Sequence, residues 1–247
     1  MRLKGLVIAM DGPAGVGKST VGGLVAKRLG YKFINTGEMY RALTWKALEE
    51  GVDLNDHDAV LALAKSLRWE FKPVEEGGTT LKTFIAGIGV THQIRDERVS
   101  VNSSLVAANS GVRKFLSKLQ RGLGERGAIV MEGRDITTNV FPDADVKIYL
   151  DASPEERADR RYRQLKAAGQ EADRAAILAA ILKRDLNDLK REINPLKQAP
   201  DALVIDSTRM TLHQVAEKIL RRIRHGRGQA SSDRGKGKRI MRALKSR

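Results

Sequence analysis

A three-layer α/β fold, in which helices flank a mostly parallel sheet of five strands, is the architecture that this sequence predicts. Short apolar runs recur along the chain, segments of helical periodicity separate them, and a glycine-rich loop joins the first run to the first helical segment. Strands that alternate with helices need right-handed crossovers, which make neighbouring strands parallel and cover both faces of the sheet.

Five apolar runs are predicted to form the strands. Each run is short and continuous, as burial on both faces of a sheet requires, and each ends in polar or turn residues. In chain order the runs are LVIAM (6–10), YKFIN (31–35), AIVMEG (128–133), VKIYLD (146–151) and ALVIDS (202–207).

The segments between these runs carry apolar residues at helical spacing. Gly30 is expected to end the first helix, because glycine readily adopts the left-handed conformation that closes a helix. Thr36 or Gly37 marks the start of the second helix, and Ser153 followed by Pro154 marks a later one. The predicted helical segments are the one after Lys18 and those at 38–50, 103–127, 153–169, 173–192 and 211–225.

Residues 68–95 interrupt this alternation. They alternate apolar and polar side chains around the turn EEGGTT, which predicts an antiparallel hairpin with room for a third short strand. We interpret the segment as a small antiparallel insertion beside the core and not as an independent domain.

Residues 12–20 read GPAGVGKST and contain the pattern G-x-x-x-x-G-K-[ST] between a predicted strand and a predicted helix. A loop without Cβ atoms can turn its backbone N–H groups inward, and the following helix adds its positive dipole end, so the loop can hold a polyphosphate. A tight turn alone would need the glycines but not Lys18 or Ser19. We expect Lys18 to reach the β- and γ-phosphates and Ser19 to give a hydroxyl ligand to Mg²⁺. The pattern predicts a P-loop NTPase fold that binds ATP through Gly12, Pro13, Ala14, Gly15, Val16, Gly17, Lys18, Ser19 and Thr20.

The composition excludes several kinds of site. Cysteine is absent, which rules out disulfides, thiolate zinc sites and cysteine nucleophiles. The four histidines lack the spacing of metal ligands, so a site built from protein side chains alone is not expected. No apolar run approaches the roughly 20 residues that span a bilayer, and no signal-peptide pattern is present. We therefore expect a soluble, cytoplasmic protein with no membrane partner.

The net charge of +15 is concentrated at the C-terminal end. Residues 221–247 hold eleven Lys and Arg against one acid, a charge of +10, so residues 1–220 carry only +5. The tail from about Gly226 to Arg247 is also rich in Gly and Ser, which predicts disorder. Such a tail can contact nucleic acid non-specifically, or it can be a solvated appendage without a dedicated role.

Arginines are dense at the ends of the predicted elements. Planar guanidinium groups bind phosphates bidentately, and phosphoryl transfer between two nucleotides needs cations on both donor and acceptor. A phosphate acceptor needs no dedicated base, because its oxygens are already ionised near neutral pH. The chain has no N-K-x-D sequence of the kind that reads guanine in GTPases. The arginines are Arg41, Arg95, Arg113, Arg134, Arg160, Arg161, Arg184 and Arg191.

Longer stretches of the sequence resemble the bacterial cytidylate kinase family over nearly all of residues 4–222. The phrase GRDITTNVFPDAD is more specific to that family than the phosphate-loop pattern. The matching stretches are DGPAGVGKST, TGEMYRAL, IRDERVS, SSLVAANSGVRKFL, EGRDITTNVFPDADVKIYLDASPEERADRRYRQL and RDLNDLKREINPLKQAPDALVIDST. The resemblance implies that the chain transfers the γ-phosphoryl group of ATP to CMP or dCMP, with Mg²⁺ brought by the nucleotide, and we expect a monomer.

The same resemblance implies a domain organisation. A nucleoside-monophosphate kinase domain would span 1–225, with its core at 1–40, 100–155 and 195–225. The insertion at about 41–99 would bind the monophosphate, and it matches the enlarged domain that distinguishes the bacterial enzymes from adenylate kinases. A helical lid would span about 156–185.

The resemblance also assigns roles to individual residues. The clamp on the CMP phosphate would be Thr36, Arg41 and Arg134. The residues that read the cytosine edge would be Ser104, Arg113 and Asp135. The sugar-binding pair would be Arg184 and Asp188, with Arg191 as a further substrate-side arginine. The lid arginines that act in catalysis with Lys18 would be Arg160 and Arg161, which would close on the transferring phosphoryl group.

Simpler explanations stay open for some of these residues. Arg160 and Arg161 share a helix with three acids, so surface pairing at i,i+4 could explain them. Arg184 and Asp188 could likewise be an ordinary helix pair. The sequence departs from the family pattern where Asn35, Glu38 and Glu132 replace more usual residues. It also departs after Asp135, where Ile136, Thr137 and Thr138 replace a tighter, glycine-containing turn of some relatives. Two rival functions also stay open: a kinase for another monophosphate such as UMP, and a nucleic-acid-binding ATPase that works through the basic tail.

Overall fold

The computed structural model describes residues 5–73 and 75–225, and the tail from Gly226 lies outside them. The strands are β1 Val7–Asp11, β2 Lys32–Asn35, β3 Trp69–Pro73, β4 Thr80–Ile85, β5 Ile88–Gly89, β6 Ile129–Glu132, β7 Val146–Asp151 and β8 Leu203–Asp206. The helices are α1 Lys18–Leu29, α2 Thr36–Glu49, α3 His57–Ser66, α4 Glu97–Ala108, α5 Ser110–Gly124, α6 Pro154–Ala167, α7 Arg174–Lys190 and α8 (212–225).

The strands form one sheet in the order β3-β4-β2-β6-β1-β7-β8, with β5 paired to β4. The five strands from β2 to β8 in this order are parallel to one another, which confirms the predicted core. All five coincide with the predicted apolar runs. Because β1 lies at the centre, the loop that follows it opens at the middle of the carboxyl edge of the sheet, where open α/β sheets bind their ligands.

Alternate residues of the central strands pack against different helices. Ile8 and Met10 of β1 face α1 and α8, while Ala9 between them faces α5 and the turn at 136–140. Both faces are therefore buried, as the continuous apolar runs require. Each buried aliphatic side chain stabilises the fold by about 1.5–3 kcal/mol, so the two-sided core holds β1 rigidly beneath the glycine-rich loop.

The antiparallel insertion is present, and it belongs to the same sheet. β4 pairs with β3 and β5 in antiparallel fashion and with β2 in parallel, through Phe33 opposite Thr80 and Ile34 opposite Leu81. The insertion therefore extends the core sheet at its edge. A pattern of alternating residues predicts a strand but not the neighbour that it will pair with, which depends on long-range packing.

The segment at 103–127, predicted as one helix, is two helices. α4 ends at Ala108 and α5 begins at Ser110, with Asn109 between them as the N-cap of α5. The Asn109 side chain accepts a hydrogen bond from Val112 N at 3.1 Å and donates one to His57 O at 2.8 Å. This second contact joins α5 to the start of α3, a helix that the sequence patterns did not predict.

Within residues 5–73 and 75–225, no helix combines the length and the hydropathy that crossing a bilayer would need.

Candidate active site

A cleft of about 340 Å³ opens at the carboxyl ends of β1, β2 and β6. The glycine-rich loop forms one wall, and α4, α5 and α7 contribute side chains to the rest. All nine residues that the sequence assigns to the substrate side line this cleft: Thr36, Arg41, Ser104, Arg113, Arg134, Asp135, Arg184, Asp188 and Arg191. The lining residues from the glycine-rich loop are Ala14, Gly15, Gly17, Lys18, Ser19 and Thr20.

The loop begins at a residue that has to be glycine. Gly12 has a φ of 146°, and a Cβ atom there would lie 1.9 Å from the carbonyl oxygen of Leu150 on the neighbouring strand. The loop can therefore leave β1 only through a residue without a side chain. Gly12 and Pro13 lie outside the cleft lining, and Val16 is buried in the core with the helix-facing residues of the sheet.

Lys18 is folded back over the loop. Its Nζ donates hydrogen bonds to Gly12 O at 2.8 Å and Pro13 O at 2.7 Å. Burial, reinforced by the Arg134 guanidinium, lowers the pKa of Lys18 to about 7, although Glu132 and Asp11 oppose the shift. A phosphate bound in the cleft would give the Lys18 ammonium group a negatively charged partner.

Glu132, at the end of β6, contacts Ser19 in the glycine-rich segment. Its Oε1 accepts a hydrogen bond from Ser19 Oγ at 2.5 Å, and its backbone oxygen accepts one from Thr36 Oγ1 at 2.8 Å. Its Oε2 is buried and has no hydrogen-bond partner. Burial raises the pKa of Glu132 against the opposing charge of Lys18.

The donor atoms at this point fit a magnesium ion that arrives with a nucleotide. Mg²⁺ prefers oxygen ligands and keeps several waters and substrate oxygens, so it needs few protein groups. Ser19 Oγ and the unpartnered Glu132 Oε2 are oxygens of the right kind. No cluster of three or more His, Asp or Glu side chains able to hold a metal occurs among the described residues, so the protein alone does not form a cage.

The opposite wall of the cleft holds a buried ion pair. Arg113 Nη2 lies 2.7 Å from Asp135 Oδ2, and the two side chains are only 2% and 8% exposed. The guanidinium carbon of Arg113 also lies 5.5 Å from the centre of the Tyr40 ring. A charged pair that is this well buried presents a fixed pattern of donors and acceptors, which suits the recognition of a polar ring edge.

Asn139 holds the Asp135 carboxylate in place through a hydrogen bond. Its Nδ2 donates to Asp135 Oδ2 at 3.0 Å and to Ser117 Oγ at 3.1 Å. Asn139 belongs to a π-helical turn, Ile136–Val140, that begins directly after Asp135.

Three arginines, Arg134, Arg184 and Arg191, lie close to Asp188 of α7, and Arg41 lines the same cleft. Arg134 Nε donates to Asp188 Oδ2 at 2.8 Å, and Arg191 Nη1 lies 3.7 Å from Asp188 Oδ1. Burial and the charge of Arg134 lower the pKa of Arg184 to about 10, although part of its side chain is exposed to solvent. Arg41 Nε is buried without a hydrogen-bond partner. This excess of positive charge over one carboxylate suits an anionic ligand.

Two of the predicted substrate-side residues, Arg191 and Ser104, form hydrogen bonds to the backbone of their own segment in the structure. Arg191 donates to the backbone oxygens of Ile193 and Asn194, so its guanidinium already holds the chain after α7. Ser104 is exposed, and its Oγ donates to Val101 O at 3.4 Å, while the neighbouring Ser103 is buried and lines the same cleft. Their substrate roles stay predictions.

The two predicted lid arginines do not line the cleft, and Arg160 Nη1 donates to Val16 O of the glycine-rich loop at 3.4 Å. Arg160 donates to Glu156 Oε1 at 2.9 Å and to Ser207 O at 2.7 Å, which matches the alternative of surface pairing at i,i+4. Arg161 is exposed, and neither residue lines the cleft, where α6 contributes Gln164. A catalytic role for either arginine would require the lid to move, and it stays a prediction.

Several residues of this region were not predicted from the sequence. Arg157 is 3% exposed and donates to Ala14 O at 3.1 Å and to Asp185 Oδ2 at 2.6 Å, which joins α7 to the glycine-rich loop. Asp11 and Glu132 could have been suspected, because each is a carboxylate at the carboxyl end of a buried strand. Arg157 and Asn139 carry no such sequence signal.

Comparisons of the sequence with known proteins agree on one family. The sequence profile of the cytidylate kinase family matches residues 8–225. The cytidylate kinase of Bacillus licheniformis is 49% identical over 217 residues, which cover 88% of this chain and 95% of that protein. The cytidylate kinase of Bacillus subtilis is 45% identical over 88% of this chain and 96% of its own length. Among solved structures, shikimate kinase from Bacteroides thetaiotaomicron covers 89% of this chain and 98% of its own, with a TM-score of 0.46 and 13% identity.

Proposed function

This chain belongs to the cytidylate kinase family, and we propose that it transfers the γ-phosphoryl group of ATP to CMP or dCMP in the cleft described above. One observation supports this assignment above the others. A phosphate loop and the buried pair of Arg113 and Asp135 line the same cleft, with arginines between them. The chain is therefore a phosphotransferase that binds two anionic nucleotides side by side.

We propose that the donor is held by the loop from Gly12 to Thr20. Backbone N–H groups and the start of α1 would bind the β-phosphate, and Lys18 would exchange its bonds to Gly12 and Pro13 for bonds to the phosphates. Magnesium would bind through Ser19, with Glu132 close to its water shell, and when bound it would neutralise phosphate charge. The role of the protein is to position these groups, because phosphoryl transfer needs little acid–base chemistry from side chains.

We propose that the acceptor phosphate lies among Arg41, Arg134 and Arg184. Arg134 and Arg184 lie close to Asp188, and burial lowers the pKa of Arg41, whose Nε has no hydrogen-bond partner. Burial of an arginine without enough negative charge is costly, and a phosphate dianion would relieve that cost. Asp188 would then be free to bind the sugar hydroxyls, as the family pattern implies.

Base discrimination would rest on Asp135 and Arg113. The Asp135 carboxylate can accept a hydrogen bond from the exocyclic amine of cytosine, and Arg113 can donate to a ring acceptor. Uracil carries a carbonyl oxygen in place of that amine, so Asp135 would face an acceptor. Leaving a buried polar group unpaired costs about 1–3 kcal/mol, which favours CMP over UMP.

A substrate panel tests the proposal. The purified full chain is assayed with ATP and CMP, dCMP, UMP, AMP or GMP, with ADP formation coupled to a second enzyme. We expect CMP and dCMP to give the highest kcat/KM. A higher kcat/KM for UMP or a purine monophosphate would instead support the rival assignment, a kinase of the same fold that acts on another nucleoside monophosphate.

The basic tail supports a second proposal. We infer that residues 226–247 contact nucleic acid non-specifically, because these 22 residues carry a charge of +7 out of the net +15 of the chain. A truncated chain that ends at His225 should keep kinase turnover and lose salt-dependent RNA binding. If truncation instead abolished an RNA-stimulated hydrolysis of ATP, the chain would be a nucleic-acid-dependent ATPase. We further expect a monomer in the cytoplasm, where ATP and CMP are available, and sedimentation of the full chain tests the monomeric state.

A further inference from the structure

Asp11 is a buried carboxylate for which the proposed reaction has no use. It is the last residue of β1, it directly precedes Gly12, and it is 0% exposed. Burial of an ionised carboxylate is costly unless it is hydrogen-bonded, so its partners show what it does.

All of the hydrogen-bond donors to the Asp11 carboxylate belong to the turn at 136–140, which follows Asp135. Asp11 Oδ1 accepts from Ile136 N at 2.9 Å, and Oδ2 accepts from Thr137 N at 2.7 Å and Thr137 Oγ1 at 2.6 Å. Three donors therefore converge on one carboxylate across more than 120 residues of sequence. The Asp11 side chain, at the start of the phosphate loop, therefore fixes the backbone of the turn at 136–140, which follows a different strand, β6.

That turn is hydrogen-bonded to Asp135, one of the side chains assigned to the acceptor. Asn139 N and Val140 N both donate to Asp135 O, at 2.9 and 3.2 Å, so the turn and Asp135 are one hydrogen-bonded unit. Asn139 also bonds to the Asp135 carboxylate, which in turn pairs with Arg113 at 2.7 Å. A displacement of the turn would therefore move the base-reading pair.

We propose that Asp11 is a positioning residue that holds the turn at 136–140, and through it Asp135, in a fixed place relative to the phosphate loop. This inference rests on the proposed function, because it assumes that Asp135 reads the acceptor base. Loss of the Asp11 carboxylate would weaken binding of the acceptor and leave binding of ATP unchanged.

Burial raises the pKa of Asp11 to about 6, against the opposing effect of the hydrogen bonds from Thr137 and Ile136. At neutral pH the carboxylate is therefore mostly ionised, which is the form that accepts all three hydrogen bonds.

The test uses the full chain and the variants Asp11→Asn and Asp145→Asn. Asp145 Oδ2 accepts from Val7 N at 2.8 Å, so it is a carboxylate that binds the backbone at the other end of β1. We expect Asp11→Asn to raise the KM for CMP at least tenfold and to change the KM for ATP less than twofold. We expect Asp145→Asn to change neither value more than twofold. An equal rise of both KM values in Asp11→Asn would overturn the proposal.

Amide hydrogen exchange gives a readout that does not depend on turnover. Protection of fragments that cover 133–141 should fall about tenfold in Asp11→Asn at pH 7, while protection of 146–151 stays the same. Thr137→Val removes one of the three donors to the Asp11 carboxylate, and it should lower the protection of the same fragments. Unchanged protection of 133–141 in Thr137→Val would overturn the proposal even if Asp11→Asn does not fold. A wild-type chain that does not phosphorylate CMP would instead refute the proposed function, and the exchange data would still decide the anchoring of the turn.

Discussion

Arg113 and Asp135 form an ion pair at 2.7 Å that is almost completely removed from solvent. Neither side chain is near its partner in sequence, since Arg113 lies on α5 and Asp135 follows β6. Two buried charges of opposite sign offset each other's desolvation, so each holds the other in place. We propose that this pair is the structural basis for base selection in the cleft.

Replacement of Asp135 should therefore weaken base discrimination. We expect Asp135→Ala to reduce kcat/KM for CMP by about 10- to 100-fold, because Arg113 loses its partner and cytosine loses an acceptor worth about 1–3 kcal/mol. The value for UMP should fall less, so the CMP/UMP ratio narrows. The matched control is Asp143→Ala, an exposed carboxylate in the loop before β7, which should leave both values unchanged. An unchanged CMP/UMP ratio in Asp135→Ala would show that another residue reads the base.

Binding of ATP should be accompanied by proton uptake at Lys18. Because the pKa of Lys18 is about 7 without nucleotide, this amine is mostly neutral at pH 8 and mostly charged at pH 6. The phosphates of ATP favour the ammonium form, so ATP binding should take up close to one proton at pH 8 and much less at pH 6. Calorimetry in buffers of different ionisation enthalpy measures this uptake.

The control for this measurement is another lysine of the same helix. Lys27→Met, in the last turn of α1, should keep the proton uptake, whereas Lys18→Met should lose it. We expect Lys18→Ala to lose turnover completely as well. Equal uptake in the wild-type chain and in Lys18→Met would mean that the proton binds elsewhere.

Arg157 should matter for stability more than any exposed arginine of α6. Its guanidinium bonds to Ala14 O and Asp185 Oδ2 and is 3% exposed. Arg157→Ala would leave the Asp185 carboxylate without its cation, and we expect a loss of about 3–5 kcal/mol in the free energy of unfolding. Arg163→Ala removes an exposed arginine of the same helix and should cost less than about 1 kcal/mol. Urea unfolding of both variants provides the comparison, and similar losses would contradict the structural role of Arg157.

Two adjacent glycines of α1 should respond in opposite ways to alanine. A Cβ atom at Gly22 would lie 2.5 Å from the Phe33 ring, whereas a Cβ atom at Gly23 would have no neighbour within 4 Å. We expect Gly22→Ala to destabilise the fold by about 1–3 kcal/mol through overpacking. Gly23→Ala should stabilise it by up to about 1 kcal/mol, because alanine favours helix. Melting temperatures test both signs, and a loss of stability in Gly23→Ala would show that α1 is packed more tightly than the structure indicates.

The sequence predicted those features that depend on local patterns. The five parallel strands are confirmed because their apolar runs are continuous, and the phosphate loop lies where its pattern requires. The break at Asn109 was missed because it depends on a hydrogen bond to His57, which lies 52 residues away in sequence. The pairing of β4 with β2 is another long-range feature of this kind.

The candidate site likewise combines residues that were predicted from the sequence with residues that were not. The nine substrate-side residues came from a family resemblance, and the structure brings all of them to one cleft. Asp11 and Arg157 were missed because their hydrogen-bond partners are distant in sequence. Asn139 was missed although its partner Asp135 lies only four residues away. Arg160 lies against Glu156 and Ser207, so its local acidic neighbours predicted its position better than its proposed catalytic role did.

Inhibition by a molecule that joins cytidine to adenosine through a chain of five phosphates tests the central claim most directly. Such a molecule would fill both nucleotide positions, one at the main-chain amides of the loop and the other at the arginines. We expect inhibition to be competitive against ATP and also against CMP, with an affinity well above that of either substrate. Competition against ATP alone would mean that the arginine-lined half of the cleft does not bind the acceptor, and the account would be wrong.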